Sequence, residues 1–327
     1  MEPNWHDGKP EVAAMNKHTE RIPTAGMSRE EWLTERKNGI GGSDAGAVCG
    51  LNPYRSPLAV YQDKTGTETD DADSESMRQG RDFEDYVARR FMEQTGKKAR
   101  RANAIYKSTE YPFMYANVDR LIIGENAGLE CKTASAYSAD KWKDGHIPES
   151  YQLQCHHYMA VTGADAWYIA VVILGKDFLW HRIVRDESLI RNLISIESSF
   201  WNSHVVPRIM PEPDGSDSSE QLIRQLSGRA AAEKEIPLTG FDEQLKRRME
   251  ITELIERLDT EKKTIEQKLK LYMGDAEAAE NDRYRITWKN SRTERLDTKA
   301  LKQEQPEIYR KYAKTTESRR FLVKPVA

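Results

Sequence analysis

Two carboxylates and a lysine lie near one another in the middle of the chain, in an order suited to phosphate chemistry. They are Asp119, Glu130 and Lys132. Glu130 and Lys132 are two residues apart, so on a β-strand their side chains face the same side. If the turn at 124–128 closes symmetrically, Asp119 lies directly across a hairpin from Glu130, with β-carbons about 4.5–5.5 Å apart. Two carboxylates this close repel each other strongly unless a cation lies between them.

Oxygen ligands of this kind suit Mg²⁺ or Mn²⁺. Such a metal polarises a phosphate and generates hydroxide, and the lysine would orient the attacking water or help to lower its pKa. The same three residues also fit a surface hairpin with an ordinary cross-strand ion pair, because 31% of the residues in this chain are charged. On spacing alone, both interpretations stay open.

A third carboxylate lies on a predicted amphipathic helix from about Met77 to Gly96. Glu84 falls at the edge of the apolar stripe that contains Val87 and Phe91. A carboxylate on a core-facing stripe must be paired or bound to a cation. The alternative is a helix-edge glutamate that reaches solvent.

The helix predicted after Pro148 carries polar side chains on one face. Tyr151, Gln154 and Tyr158 share this face by their i, i+3 and i+7 spacing. Gln154 is a candidate for binding a phosphate or the attacking water. A tyrosine stripe is more often part of a core.

A glycine-rich turn, residues 39–44, follows Arg36 and contains Ser43. Exposed backbone N–H groups at a helix start, a serine hydroxyl and a nearby arginine are together suited to holding a phosphate. A routine loop capped by serine has the same composition.

The elements that must position these residues follow a mixed order of helices and strands. Ser28 and Glu31 predict a capping box, and Ser56-Pro57 predicts another helix start. This order predicts an α/β (α+β) fold with a central mixed sheet flanked by helices. The predicted strands are residues 104–108, 113–123, 128–134, 166–174 and 178–184, with helices before, between and after them.

Composition divides the chain into four parts: a flexible arm (1–27), the α/β domain (28–210), a linker (211–219) and a helical C-terminal domain with a small β element (220–327). In the last part, apolar residues recur at heptad-like spacing on one long helix, at Ile251, Leu258, Ile265 and Tyr272. Such a stripe mediates self-association, binds a partner or packs within the chain, and packing within the chain is the commonest of the three.

The bulk composition excludes several classes of protein. No segment has the roughly 20 consecutive apolar residues of a membrane span, and the N-terminus lacks the apolar core of a signal peptide, so we expect a cytoplasmic protein. Three cysteines are too few for a disulfide framework or a four-cysteine metal site. The net charge of −3 neither favours nor excludes a nucleic-acid partner.

Taken together, these segments resemble a known family, the YqaJ-type viral recombinases or phage lambda exonuclease-like nucleases. The resemblance covers about residues 28–205, and the ordered set of motifs is far more specific than any single one. The residues that carry it are RKNGIGGSDAGAVCGLNPYRSPLAVYQDKTG (36–66), MRQGRDFED (77–85), FMYANVDRL (113–121), GLECKTA (128–134) and PESYQLQCHHYMAVTG (148–163).

The resemblance implies the restriction-endonuclease-like PD-(D/E)xK fold and a role for each candidate residue. It makes Asp119, Glu130 and Glu84 the metal ligands and Lys132 the catalytic lysine. It makes Gln154 and Tyr151 active-site residues, and it puts Arg36 and Ser43 in a pocket for the 5′-terminal phosphate. Asn117 stands where the lambda enzyme has a serine, so we assign it no role beyond a phosphate contact.

The resemblance also implies an activity: Mg²⁺-dependent (or Mn²⁺-dependent) 5′-to-3′ digestion of double-stranded DNA from an end. The 3′ overhang would serve a single-strand annealing recombinase in phage or prophage recombination, inside the bacterial host. A ring-shaped homo-oligomer is implied as well. Two alternatives are an endonuclease on the same fold and a catalytically silent scaffold that binds DNA ends.

Overall fold

The structure is a computed structural model, and it describes residues 18–66, 74–228 and 234–324. The strands are β1 (Thr19–Pro23), β2 (Ile40–Gly41), β3 (Ala99–Arg101), β4 (Ala104–Ser108), β5 (Met114–Asn117), β6 (Arg120–Ile122), β7 (Ala127–Ala134), β8 (Ala166–Ile173), β9 (Asp177–Val184), β10 (Ala278–Glu280) and β11 (Arg285–Thr287). The helices are α1 (Arg29–Lys37), α2 (Gly42–Val48), α3 (Pro57–Thr65), α4 (Glu75–Thr95), α5 (Glu149–Thr162), α6 (Glu187–Phe200), α7 (Asp217–Ser227), α8 (Asp242–Met273), α9 (Thr298–Glu304) and α10 (Pro306–Tyr312). A 3₁₀ segment (Ala136–Gly145) follows β7, and a π-helical turn (Trp201–Val205) follows α6.

Several helix ends lie where local sequence predicts them. Ser28 and Glu31 form the predicted capping box at the start of α1. The Ser56 side chain accepts the Ala59 N–H at the start of α3. Gly96 ends α4 with a left-handed φ of 70°, a conformation that glycine adopts without strain.

Strands β1 to β9 form two sheets. One has five strands in the order β3-β6-β7-β8-β9 and is mixed, because β7 and β8 are parallel and the other pairs are antiparallel. The other has four strands in the order β1-β4-β5-β2. Helix α5 connects the parallel strands β7 and β8, as such a pair requires. The predicted mixed α/β fold is confirmed.

Strand β8 is the centre of the core. All eight of its residues are buried, and its alternate side chains enter two different apolar clusters. On one face Ile169 and Val171 pack in the cluster that contains Met159 of α5. On the other face Tyr168 and Ala170 join the cluster of α4. A continuous apolar run is what a strand covered on both faces needs.

The chain bends between the two sheets at Asp119. Residues 113–123, predicted as a single strand, form β5 in the four-stranded sheet and β6 in the five-stranded one. The neighbouring strands β3 and β4 also belong to different sheets. Between the pairs Arg101↔Arg120 and Ile105↔Asn117, three residues (102–104) lie opposite only two (118–119). This extra residue makes a β-bulge, which bends the ribbon, and Asn103 adopts the positive φ of 47° that the bend requires.

The boundaries of the parts differ from the predicted ones. Residues 19–23 of the predicted arm form β1, because β4 offers an edge with which they pair from Thr19↔Ser108 to Pro23↔Ala104; residues 1–17 lie outside the described part. The chain divides into two compact units after Gly228. Residues 217–219 of the predicted linker begin α7, because the Ser216 side chain caps its first turn.

The second unit contains α8, the β10–β11 hairpin, α9 and α10. The predicted small β element is confirmed by this hairpin. The apolar stripe of α8 is largely exposed to solvent, with Leu258 55% and Ile265 53% exposed. Across the described ranges of the chain, no helix is both long enough and apolar enough to cross a membrane.

Candidate active site

The β6–β7 hairpin brings the two central carboxylates together. Its pairs are Arg120↔Leu129 and Leu121↔Gly128, and continuing this register by one residue puts Asp119 opposite Glu130. Asp119 also accepts a hydrogen bond from the backbone N–H of Cys131, at 2.8 Å from its Oδ2. Asp119 therefore lies opposite Glu130 as expected from sequence, but the hairpin closes over residues 122–127 and not over 124–128. The bend in the chain places Asp119 directly before the start of β6.

Glu130 and Lys132 share one face of β7, the face covered by α5. Lys132 Nζ lies 2.6 Å from Glu130 Oε1 and donates to Gln154 Oε1 at 2.9 Å. Gln154 Nε2 in turn donates to Glu130 Oε1 at 2.7 Å. These three side chains form a closed ring of contacts in which each partner fixes the other two.

Helix α5 supplies the aromatic surroundings of this ring. The Tyr151 ring lies under the lysine, with Lys132 Nζ 4.6 Å from the ring centroid, and it stacks on Trp142 of the 3₁₀ segment at 5.6 Å. Tyr158, one turn after Gln154, accepts a hydrogen bond from Gln154 Nε2 at 2.7 Å. The predicted shared face of Tyr151, Gln154 and Tyr158 is the face that meets β7.

Glu84 of α4 reaches the same end of the sheet but is held by an arginine. Arg120 Nη2 lies 3.1 Å from Glu84 Oε1 and also pairs with Asp85. Arg120 is only 4% exposed, so its charge is compensated by this acidic pair. Sequence reasoning missed Arg120, although an arginine between Asp119 and the apolar residues 121–123 of a predicted strand was a signal.

Burial and mutual repulsion shift the titration of these groups. The pKa of Asp119 is raised well above its ordinary value by burial and by the nearby charges of Glu130 and Glu84. Burial also raises the pKa of Glu84, against the opposing effect of Arg120. For Lys132, burial lowers the pKa, but Glu130 and Tyr151 outweigh it and the net shift is upward. The lysine is therefore a permanent cation at neutral pH.

The donor set fits a divalent cation in one specific respect. Glu130 is 4% exposed, and its Oε2 atom is buried with no hydrogen-bond partner. A buried carboxylate oxygen needs a partner. Burial and the charges of Glu130 and Glu84 raise the pKa of Asp119, so a cation between these carboxylates would stabilise their charged forms. Within the described residues, however, no three His, Cys, Asp or Glu side chains converge closely enough to form a ready metal site.

The glycine-rich turn is fixed beside Arg36 by buried ionic contacts. Lys64 Nζ donates to the Arg36 carbonyl at 3.0 Å and lies 2.8 Å from Asp44 Oδ2. Arg36 Nη2 donates to Ser43 Oγ at 3.3 Å, and its guanidinium lies over the Trp32 ring, 4.7 Å from the centroid. The structure thus brings Arg36 and Ser43 together as sequence analysis expected.

Asn117 ends β5, opposite Ile105 and two residues before Asp119. Its side chain is half-buried. The structure places it next to the bend that carries Asp119, while its predicted contact with phosphate stays a prediction.

Comparison with known proteins adds the family. The sequence model of the YqaJ-like viral recombinase domain matches residues 31–165. The uncharacterised protein YqaJ of Bacillus subtilis (strain 168) is 42% identical over 305 residues, which cover 92% of this chain and 96% of that protein.

Solved structures share a more distant likeness. The alkaline exonuclease LHK-Exo of Laribacter hongkongensis is 21% identical, with a TM-score of 0.46, over 61% of this chain and 98% of that one. The phage related exonuclease of Haemophilus somnus 129PT is 12% identical, with a TM-score of 0.39, over 50% of this chain and 94% of that one.

The family rests on the sequence relationship, which extends through both units of the chain. The predicted resemblance is confirmed, and the protein belongs to the YqaJ-like viral recombinase family.

Proposed function

We propose that this protein is a Mg²⁺- or Mn²⁺-dependent nuclease that digests double-stranded DNA from a 5′ end. The observation that carries the proposal is the buried, unpartnered Oε2 of Glu130, which lies in a carboxylate pair with Asp119 and beside the charged Lys132. Acidic ligands for a metal ion and a fixed cation beside them form a combination suited to the hydrolysis of a phosphodiester.

The metal would be held by Asp119 and Glu130, with Glu84 as the third carboxylate. A divalent cation bound there supplies positive charge at the scissile phosphate and lowers the pKa of water. Release of Glu84 from Arg120 is the rearrangement that a third ligand requires, since the two now form an ion pair at 3.1 Å.

Lys132 contributes a second positive charge, directed at a phosphate oxygen or the attacking water. Gln154 holds the ammonium from one side and Glu130 from the other, and the Tyr151 ring limits its movement from below. A cation that is already in position costs no reorganisation when charge develops on the phosphate. Gln154 and Tyr151 therefore act by fixing Lys132 and by contacting the substrate.

Arg36 and Ser43 would receive the 5′-terminal phosphate. The guanidinium and the hydroxyl already contact each other, and both are donors that suit a phosphate. Asn117 would donate to a phosphate nearer the bend. A contact of this kind at the DNA terminus favours an exonuclease over an endonuclease, which cuts internally.

The test compares three DNA duplexes with Mg²⁺: linear with 5′-phosphate ends, linear with 5′-hydroxyl ends, and a closed circle. Lys132→Ala should lower the rate at least about 100-fold while DNA binding persists. Lys97→Ala is a matched control, because Lys97 pairs with Glu125 and lies 5.3 Å from the Tyr168 ring centroid at the other end of β7. It should cleave like wild type.

Each other outcome points to a different function. Cutting of the closed circle would make the protein an endonuclease. Absence of cutting on all three substrates, with DNA still bound, would make it a DNA-end-binding scaffold. Equal losses in the two lysine variants would remove Lys132 from the site.

The proposal extends, by family resemblance, to the biological setting. The 3′ overhang would be passed to a single-strand annealing recombinase encoded by the same phage or prophage, in the bacterial cytoplasm. The nuclease would assemble as a ring-shaped homo-oligomer. Sedimentation of the purified chain tests the assembly, and a pull-down from a phage-infected lysate that recovers no annealing protein would contradict the partner.

A further inference from the structure

Tyr158 contacts both halves of the proposed site. Its hydroxyl accepts a hydrogen bond from Gln154 Nε2 at 2.7 Å, and its ring lies against the backbone of Gly42, next to Ser43. A β-carbon added to Gly42 would lie 2.4 Å from Cε1 and 2.9 Å from Cζ of this ring. Carbon atoms in contact are normally about 3.5–4.0 Å apart, so only glycine allows the ring to lie there.

The ring has no room to move away from the glycine-rich turn. Tyr158 is 3% exposed, and Trp167, which is fully buried, lies on the ring at a centroid distance of 5.1 Å. Close-packed interiors transmit small displacements instead of absorbing them. A shift of the Gly42 backbone is therefore passed to the tyrosine ring and its hydroxyl.

Gln154 carries this contact into the catalytic cluster. Its Nε2 donates to both Tyr158 and Glu130, and its Oε1 accepts from Lys132. Three partners define the position of this amide. Of these three partners, Tyr158 is the one whose side chain also packs against the glycine-rich turn.

We propose that Tyr158 is a positioning residue that couples a phosphate held at Arg36 and Ser43 to the alignment of Glu130 and Lys132. The inference rests on the proposed function, since it needs a DNA-end phosphate at the turn. A bound phosphate fixes the position of the turn. The Gly42 backbone then fixes the position of the Tyr158 ring, and the Tyr158 hydroxyl fixes the Gln154 amide. A 5′-phosphorylated end thereby raises turnover as well as affinity.

The test uses Tyr158→Phe in the full-length protein with Mg²⁺, on linear duplexes with 5′-phosphate or 5′-hydroxyl ends. Loss of one hydrogen bond should lower kcat on phosphorylated ends about threefold to tenfold. KM for these ends should not change, because Arg36 and Ser43 are intact. On hydroxyl ends kcat should change little, so the preference in kcat for a phosphate should fall.

Two further variants separate coupling from a general loss of structure. Tyr168→Phe also removes a hydroxyl from a buried tyrosine, one that is 2% exposed and donates to Glu125 at 2.9 Å; both kinetic constants should stay at wild-type values. In a Ser43→Ala background, Tyr158→Phe should have a smaller effect on kcat than it has alone, because linked residues give non-additive changes.

The outcomes distinguish this inference from the proposed function. If wild type cleaves and Tyr158→Phe has an unchanged kcat, or loses kcat equally on both kinds of end, the inference is overturned and the nuclease proposal stands. Full additivity with Ser43→Ala overturns it in the same way. If wild type cleaves no DNA, both fail.

Discussion

At the scale of single residues, the charge of Lys132 decides what it does in the site. Its pKa is raised, because Glu130 and Tyr151 outweigh the effect of burial, so it does not lose its proton near neutral pH. It acts as a fixed positive charge that orients water or stabilises a phosphate oxygen.

The pKa of Asp119 is also raised, but for a carboxyl this favours the uncharged form, and it gives a prediction about stability. Its pKa is raised by burial and by Glu130 and Glu84. Protonation of Asp119 therefore stabilises the folded state. This contribution to the free energy of unfolding is complete below about pH 3.9, the ordinary pKa of the group, and is lost as the pH rises through the higher pKa of the folded state. At pH 7 in EDTA, Asp119→Asn should melt about 2–4 °C above wild type, as measured by calorimetry.

Addition of Mg²⁺ should reverse this order, because a ligand that binds the folded state stabilises it. Wild type should gain melting temperature with Mg²⁺, and Asp119→Asn should gain much less. Asp165→Asn, a substitution at an exposed aspartate that accepts from Asn126 at 3.0 Å, is the control and should respond like wild type. If Asp119→Asn melts below wild type in EDTA, or gains as much from Mg²⁺, the assignment of Asp119 as a metal ligand is contradicted.

At the scale of elements, α2 and α3 are joined by a buried ion pair that shapes the glycine-rich turn. Asp44 is fully buried, accepts the Gly41 N–H at 3.0 Å and pairs with Lys64 at 2.8 Å and Arg55 at 3.0 Å. Lys64 also holds the Arg36 carbonyl. The two proposed phosphate contacts, Arg36 and Ser43, therefore depend on one carboxylate for their relative position.

Loss of this carboxylate should be costly. Asp44→Asn removes the fully buried one of the two carboxylates that pair with Lys64. Breaking a buried ion pair typically costs about 3–5 kcal/mol of stability. Denaturant unfolding at pH 7 measures the cost. Asp63→Asn is the matched control, since Asp63 pairs with the same Arg55 and Lys64 but is 36% exposed; its cost should be about 1 kcal/mol or less.

The effect of Asp44 should also depend on pH in a defined direction. Although burial opposes it, attraction from Lys64 and Arg55 holds the pKa of Asp44 far below its ordinary value. A lowered pKa contributes stability above the ordinary value near 3.9, and this is lost as the pH falls towards the folded pKa. The difference in the free energy of unfolding between wild type and Asp44→Asn should therefore become smaller below about pH 4. A difference that widens there would contradict the ion pair.

At the scale of the whole molecule, the two units contain very different amounts of core. The three large apolar clusters lie in the first unit, between Ile40 and Val205. Helix α8 has one buried side chain, Met273, among its described residues. All the candidate site residues, from Arg36 to Gln154, also belong to the first unit.

This distribution predicts that the first unit is sufficient for cleavage. A chain ending at Gly228 should unfold cooperatively in calorimetry and should retain Mg²⁺-dependent cleavage of linear duplex DNA. Assays of product length against the full chain would show whether the second unit extends each binding event. A truncated chain that folds but does not cleave would mean that the second unit completes the site.

Local sequence determined much of this protein. The capping box at Ser28 set the start of α1, and side-chain alternation put Glu130 and Lys132 on one face of β7, because caps and alternation act over a few residues. The ordered motifs were also sufficient to identify the family. Local signals of this kind do not require knowledge of which elements meet.

Only the tertiary structure decided how distant segments meet. The passage of residues 113–123 from one sheet to the other follows from a bulge opposite Val118 and Asp119, and from partners on separate strands. The contacts of Arg120 with Glu84 and of Tyr158 with Gly42 join segments that are far apart in sequence. Such contacts depend on packing between elements, for which the spacing of residues along one element carries no information.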